Sequence, residues 1–369
     1  MSMEISEDIV IVGAGIAGLA TALGLHRLGL RSLVLESSPC LRVTGAAFTT
    51  WTNAWQALDA LGIGDSLRRQ HPRLQGEQHE VRCLKRKVLL ETLAKELPTG
   101  TIRFSSKVVS IEDSGSLKLL HLVDGSILKT KVLIGCDGVN SPVARSLGFK
   151  KPSFVGRSTI RGYAVFEEKH GFEPKSLQFM GDGFRYGIIP CDDTSLYWFF
   201  AFSSSGQGNV PNKIKNVIDT TKLDDLICSP LRSRAPWEIL FGDISKDNVC
   251  EVGNACHPMM PDLGQGACSA LEDGIILARC IAEAFIKRST EEKYSEEQQY
   301  EKIRISLKKY AKERRWRGFD LVTTAYTIGV IQQSNKIVIS FLRDKVLAPL
   351  WSGLLLQKAS FQYGRLSTK

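Results

Sequence analysis

The chain has 369 residues, 43% hydrophobic and 24% charged, an ordinary composition for a soluble chain long enough for two domains with buried cores. Its net charge of +9 is spread without a long basic block, which argues against a nucleic-acid footprint and leaves a field that attracts anionic small molecules. Nine cysteines, an odd number with no CxxC pair, argue against zinc or any other metal and for a reducing, cytoplasmic setting.

Met1 to Glu7 is too short and acidic for a signal or transit peptide. The aliphatic run Ile9 to Val12 suits a strand buried on both faces, and it breaks into Gly13-Ala14-Gly15-Ile16-Ala17-Gly18. Leu19, Ala22, Leu23 and Leu25 then fall at helical spacing. In such a strand–turn–helix Gly13 makes the turn, Gly15 lets the backbone approach a pyrophosphate and Gly18 lets helix and strand pack closely. The first helical amides, with Ala14 and Ala17 among the loop residues, face the phosphates. A second aliphatic run, Ser32 to Leu35, ends at Glu36, whose carboxylate can accept from both ribose hydroxyls of an adenosine and repels a 2′-phosphate. FAD or NAD fits this site better than NADP.

Beyond Cys40 come Arg42, the Gly45-Ala46-Ala47 turn and a helical stretch from Asn53 to Leu61. Arg68 to Gln78 reads as a charged, proline-broken loop with its cations in solvent. Leu84, Leu89, Leu90 and Leu93 define an amphipathic helix from about Lys85 to Leu97, with Arg86 at its start, a solvated surface arginine on residue type alone. Strands are expected at Ile102 to Phe104, Lys107 to Glu112, Leu117 to Leu122 and Ile127 to Lys131, with Asp124-Gly125 as a hairpin turn. A buried run, Val132 to Gly135, then leads into Cys136-Asp137-Gly138-Val139-Asn140-Ser141, where Asp137 is either a ligand contact or an Asx turn.

From Lys151 to Phe241 alternating, aromatic-rich segments (Thr159 to Glu167, Ser176 to Met180, Phe184 to Ile189, Ser195 to Phe202) indicate a mostly antiparallel sheet. Phe184, Tyr186, Trp198 and Phe200 are candidate liners of an apolar substrate pocket. Val249 to Val252 is another short strand, followed by Gly253-Asn254-Ala255-Cys256-His257-Pro258 and Pro261-Asp262-Leu263-Gly264-Gln265-Gly266-Ala267. A helix over Cys268 to Phe285 leaves the Gly264 to Ala267 amides free, and His257 reads as ordering the loop. Residues after Lys287 are expected to be helical, and the apolar stretch Val346 to Leu356, too short for a bilayer that needs about 20 residues, reads as a packing helix, with weak membrane association as the alternative.

Together, the Gly13-x-Gly15-x-x-Gly18 turn with Glu36, the Cys136 to Ser141 segment and the Gly253 to Ala267 segment resemble the single-component flavoprotein monooxygenases of the aromatic-hydroxylase class, most closely the plant monooxygenases related to salicylate hydroxylase. The resemblance covers about residues 8 to 285. It implies FAD bound in extended form, with Glu36 on the adenosine ribose, Arg42, Ala46 and Arg86 on the cofactor, and Asp137 and Gly138 serving FAD and NAD(P)H. Asn254 falls at the ribityl chain, Pro261 beside the flavin ring, and Gly264, Gln265, Gly266 and Ala267 at its pyrimidine end. Two residues depart from the family pattern: Asn254 stands where an aspartate is usual, and Ala144 where many relatives carry arginine.

The expected architecture is α/β: a Rossmann-like FAD-binding domain (1–70, 80–150 and 242–290), an inserted mostly antiparallel substrate domain (71–79 and 151–241) and a C-terminal helical region (291–369). The expected activity uses NAD(P)H and O2 to hydroxylate a small apolar or aromatic substrate, phenolic or benzoic-acid-like, through a flavin hydroperoxide, in a monomer or weak homodimer without stable membrane insertion. No side-chain base is assigned, so the catalytic groups are the backbone of Pro261 and Gly264. A flavin-dependent reductase or oxidase on the same fold, or an impaired flavoprotein with a binding role, is the alternative.

Overall fold

The computed structural model describes residues 5–43, 47–75, 79–181, 183–203, 212–285, 294–332, 353 and 357–366. In chain order the first half runs β1 (Ile5–Val12), α1 (Ile16–Arg27), β2 (Leu33–Leu35), β3 (Ala47–Thr50), α2 (Thr52–Ala60), α3 (Gly64–Arg68), β4 (Arg82–Lys85), α4 (Arg86–Lys95), β5 (Ile102–Arg103), β6 (Val108–Ser114), β7 (Leu117–Leu122), β8 (Ile127–Gly135) and α5 (Pro142–Ser146). The second half runs β9 (Ser153–Val165), β10 (Leu177–Gly181), β11 (Phe184–Pro190), β12 (Ser195–Ser203), α6 (Asn212–Asp219), β13 (Ile227–Ser233), α7 (Pro236–Phe241), β14 (Ser245–Lys246), β15 (Val249–Glu251), α8 (Gly266–Phe285) and α9 (Glu296–Gln332).

The main sheet has the order β14-β15-β8-β1-β2-β5, with β6 and β7 attached to the first half of β8. Its centre is parallel: β1 pairs with β2 and β8, and β15 with β8. Central parallel strands need cover on both faces, which explains why Ile9 to Val12 is uniformly aliphatic. Helix α1 is buried from Ile16 to Leu25, because it lies between this sheet and α8. Glycines set that second contact: a Cβ on Gly274 would lie 2.9 Å from the Ala20 Cβ, and one on Gly24 2.8 Å from the Ala278 Cβ. A methyl group at either position would push the helices apart.

The second sheet, β10-β11-β12-β9-β13, is antiparallel throughout. Between the sheets lies the ribbon β3-β4, whose Cys83 has its sulfur 2.8 Å from that of Cys191 in the turn after β11, both as free thiols. The Gln75 N–H donates to the Pro174 carbonyl at 2.7 Å, so the end of the 71–75 segment touches the connection between β9 and β10 as well. The architecture is thus a Rossmann-like parallel sheet, an inserted antiparallel sheet and C-terminal helices.

Several elements differ from the sequence reading. The two strands expected at Ile127 to Lys131 and Val132 to Gly135 are one strand, β8, whose first half pairs with β7 and second half with β15. Arg68 is not solvated: it closes α3, bonds Asp59 and Glu80, and its guanidinium sits 5.1 Å from the Trp55 ring centroid. Helices α6 and α7 and strand β13 do not stand out in the sequence because each is short, at 8, 6 and 7 residues. Gly45 and Ala46, and Val346 to Leu356 apart from Gly353, lie outside the described residues. Among the described residues no helix is long and apolar enough to cross a membrane.

Candidate active site

Four adjacent strands end side by side. The Gly13 N–H donates to the Leu35 carbonyl at 2.7 Å, Cys136 N–H to Val12 at 2.8 Å, and Val252 N–H to Gly135 at 2.9 Å, so the loops after β2, β1, β8 and β15 leave one edge of the sheet together. Their close approach depends on glycine. Gly13 has φ +104°, and a Cβ there would lie 2.6 Å from the Cys136 carbonyl oxygen; one on Gly18 would lie 2.0 Å from the Gly13 oxygen. Gly15 differs, since a Cβ there meets nothing within 4 Å, leaving open space over the start of α1. Gly253 faces Ala17, with a Cβ-to-Cβ distance of 2.8 Å if built, which brings the third loop onto the first.

Glu36 is buried at the end of β2, where it accepts from the Ala14 N–H at 3.0 Å and the Ser38 N–H at 2.9 Å. Arg42 lies 3.5 Å from it, donating to Ser37 and Ser38 hydroxyls with most of its side chain in solvent. Beside Gly138, itself at φ +78°, Asp137 keeps both carboxylate oxygens buried without a well-formed hydrogen bond, although Ser141 and the Val143 amide lie close enough to favour its charged form. Burial pushes its carboxyl up to about 6. Glu251, fully buried across from it, accepts from Ser141 at 3.2 Å, and burial together with the nearby Asp137 carboxylate drives it well above the usual range. Arg86 is the opposite of a solvated arginine: its Nε is buried with no acceptor, and burial and the neighbouring Arg161 lower its pKa.

The third loop is braced from behind. Asp273 on α8 accepts from His257 Nε2 at 2.6 Å and from the Gly253 N–H at 2.8 Å, with Arg314 of α9 on its other oxygen. Burial alone would raise this carboxyl, but Arg314 and His257 hold it well below the usual range. Asn53 donates to both Gln265 (2.9 Å) and Glu272 (2.5 Å), and Glu272 is ion-paired with Arg314 and Arg317. Asn254 is exposed, with its Oδ1 3.9 Å from where a Gly266 Cβ would be. Gly264 caps the turn in the left-handed region at φ +65°. Its amide donates to the Pro261 carbonyl at 3.0 Å, so the free amides of this segment begin at Gln265, not at Gly264 as expected.

Strand alternation decides which side of the second sheet meets these loops. Arg157, Thr159, Arg161 and Tyr163 of β9, Tyr197 and Phe199 of β12 and Arg185 of β11 share one face. On that face Arg157 and Arg185 both bond Asp262, at 3.0 Å each, and Tyr197 packs with Ala47 and Cys83. Phe184, Tyr186, Trp198 and Phe200 occupy the reverse face, packed with Val217 and Ile218 of α6, and Trp198 donates to Thr221 at 2.8 Å. The expectation that these four line the pocket is therefore corrected: a period of two sends them away from the Gly264 loop, into a separate core.

A family model described as lycopene cyclase protein matches residues 8–191. The chain is 51% identical to Monooxygenase 2 of Arabidopsis thaliana over 99% of this chain and 100% of that one, and 32% identical to Monooxygenase 1 of the same plant over 97% and 99%. The chain belongs to the FAD-dependent monooxygenases of the aromatic-hydroxylase type. In fold, this monooxygenase matches the crystal structure of Klebsiella pneumoniae HpxO complexed with FAD and uric acid at a TM-score of 0.78, over 98% of each chain and at 20% identity.

Sequence reasoning missed several polar residues of this monooxygenase. Asp262 stood inside a segment singled out for its glycines, but its partners Arg157 and Arg185 lie far away in sequence. Alternation along β9 could have put Arg157, Arg161 and Tyr163 on one face. No local signal pairs Asp273 with Arg314, which meet only because α8 and α9 pack together.

Proposed function

We propose that this chain holds FAD along the shared edge of β2, β1, β8 and β15, draws on NAD(P)H and O2, and hydroxylates a small aromatic substrate of phenolic or benzoic-acid type. The observation that carries the reading is that three glycine-built loops meet with polar groups left unsatisfied: Arg86 Nε, both Asp137 oxygens and Gln265 Nε2. Buried polar atoms without partners are costly in a finished core and are expected where a polar ligand completes them.

The donor set fits an extended dinucleotide. Gly13, Ala14, Gly15, Ala17 and Gly18 would bring α1's N-terminal amides to the pyrophosphate, and the open space at Gly15 leaves room for its approach. Glu36 would take the adenosine ribose, Arg42 and Arg86 the anionic and carbonyl groups, Asp137 with Gly138 sugar hydroxyls, and Asn254 the ribityl chain. Gln265, Gly266 and Ala267 would present amides to the pyrimidine end, where the start of the 20-residue α8 favours negative charge. Gly264 and Pro261 would shape the turn beside the ring. When bound, FAD supplies the electron-carrying and oxygen-activating chemistry that the side chains lack.

The chain's own task is to position substrate and exclude water. Tyr163, Tyr197 and Phe199 replace the four aromatics of the reverse face as the proposed walls. No residue on this face is required as a base, because an ionised phenol provides its own electron density to the ring.

The test has two stages. Purified protein reconstituted with FAD should be yellow and hold the cofactor through gel filtration; protein that stays colourless would remove the flavin assignment. The holoenzyme should then oxidise NAD(P)H faster with particular phenolic or benzoic acids and carry label from ¹⁸O2 into product. Stimulated oxidation with no label in any product would leave a reductase or oxidase.

A further inference from the structure

Cys83 and Cys191 are 108 residues apart in the chain, yet their sulfurs lie 2.8 Å from each other, as free thiols without exposed surface. Cys83 stands on β4, opposite Thr49 of the ribbon and just before Arg86 opens α4. Cys191 stands in the turn from β11 to β12, where its N–H donates to the Ser195 carbonyl at 2.9 Å. The neighbouring Lys85–Asp192 ion pair, at 2.8 Å, joins the same two segments. Ribbon and second sheet thus meet through one charged pair and one sulfur pair.

The proposed hydroxylation uses neither sulfur. Leu74, Val81, Ile189 and Tyr197 cluster with the pair, and any small apolar side chains would fill that space. Two facing thiols add a chemistry that such side chains lack. A disulfide of about 2.05 Å needs the sulfurs to close by roughly 0.8 Å, a step that side-chain rotation with slight backbone adjustment supplies. Burial pushes the Cys83 thiol well up, which keeps it protonated and slow to react, and it also shuts out bulky oxidants. A small neutral peroxide suits such a place; a disulfide-bearing peptide does not.

We propose that Cys83 and Cys191 are a site of reversible oxidation, where hydrogen peroxide converts the two thiols to a disulfide that ties the ribbon to the second sheet. One thiolate attacks a peroxide oxygen, the O–O bond breaks and hydroxide leaves, giving a sulfenic acid; the other thiolate attacks that sulfur, and the S–O bond breaks with loss of a second hydroxide. The two thiol protons turn both hydroxides into water, so the two electrons lost by the sulfurs reduce one peroxide. A dithiol reductant reverses the change, as suits a reducing setting in which disulfides are transient. The inference stands apart from the function proposed above, since it needs the contact between the segments and not the identity of the substrate.

The experiment treats the full chain, with whatever cofactor it retains on purification, with hydrogen peroxide, in a Cys40→Ser, Cys228→Ser background that removes the two exposed thiols. Remaining thiols are alkylated, and peptides are mapped with and without reductant. A peptide joined through Cys83 and Cys191 is expected, together with a melting temperature raised by roughly 5 °C or more, because the link constrains a long loop of the unfolded chain. Dithiothreitol should undo both. Cys83→Ala and Cys191→Ala should each show neither the link nor the peroxide-dependent rise. Cys83 and Cys191 recovered as alkylated thiols, or as sulfinic acids without a link, overturn the inference, as does a rise in melting temperature that Cys191→Ala shows equally.

Discussion

Asp273 reaches back 16 residues to accept the Nε2 hydrogen of His257 at 2.6 Å, and the same oxygen takes the Gly253 N–H at 2.8 Å. One carboxylate on α8 thus fixes the turn that carries Asn254. Asp273→Ala should leave Arg314 with Glu272 as its carboxylate partner beside Ser269 and free the turn, at a cost of about 3–5 kcal/mol in unfolding free energy, the usual penalty for breaking a buried ion pair. FAD affinity should fall with it, although Asp273 is not among the proposed cofactor contacts. Because this carboxyl titrates below its unfolded value, its contribution is present above about pH 4 and fades only as the solution is acidified further. Denaturant unfolding and FAD titration check both parts; a variant within 1 kcal/mol of wild type would show that the brace is idle.

Gly15 and Gly18 separate folding from binding. An alanine methyl at 18 would sit 2.0 Å from the Gly13 carbonyl oxygen, and the loop or helix must shift, so Gly18→Ala should lower apoprotein stability by about 1–3 kcal/mol or more and abolish FAD retention. Gly15 has extended backbone angles, φ −78° and ψ −174°, that alanine adopts freely, with no atom near its built Cβ. Gly15→Ala should therefore melt like wild type as apoprotein yet bind FAD at least about tenfold more weakly, since the methyl occupies the approach to the pyrophosphate. Thermal melts of both apoproteins beside FAD titrations decide the matter. Equal FAD affinity in wild type and Gly15→Ala would mean the cofactor does not pass over this turn.

The contrast between these glycines also marks where sequence is informative. The Gly13 to Gly18 turn, its flanking strand and helix, and Glu36 are legible because a few neighbouring residues determine one another's geometry. The same holds for the hairpin at Asp124-Gly125, with Gly125 at φ +79°. Asp262 with Arg157 and Arg185 was hidden, because a buried ion cluster between the third loop and the second sheet depends on how distant segments dock. The pocket-facing aromatics were misassigned for a related reason: alternation gives two sets of residues, and only the packing of α6, through Val217 and Ile218, against Phe184, Tyr186, Trp198 and Phe200 says which set is inside a private core. Arg86 reads as surface until the second sheet closes over it.

Asn254 allows a gain to be tested. A ribityl hydroxyl bonded to a neutral amide contributes about 0.5–1.5 kcal/mol, and to a carboxylate about 1.5–3 kcal/mol. Asn254 is exposed, so a carboxylate there incurs little desolvation before the cofactor arrives. Asn254→Asp should then tighten FAD binding by roughly fivefold, about 1 kcal/mol, with apoprotein stability unchanged. Fluorescence quenching of titrated FAD measures the change. An unchanged or weaker affinity would place the ribityl chain elsewhere.

Asp137 predicts a pH dependence of unusual sign for a carboxylate. In the folded chain it titrates at about 6, against an ordinary aspartate value of 3.8, so the folded chain holds a proton that the unfolded chain has released across this window. The contribution of Asp137 to stability is therefore greatest below pH 4, declines as pH rises towards 6 and is lower by about 3 kcal/mol above it, since each pH unit between the two values is worth about 1.4 kcal/mol. Asp137→Asn removes the titration. Its apoprotein should match wild type near pH 4 and exceed it at pH 7.5 by up to that amount, with FAD affinity reduced because the carboxylate no longer accepts from sugar hydroxyls. Urea unfolding of the two apoproteins from pH 4 to 8 makes the comparison. Parallel curves would show that Asp137 finds partners in solution that its buried, unbonded oxygens lack here, and would remove the case for it as a waiting ligand contact.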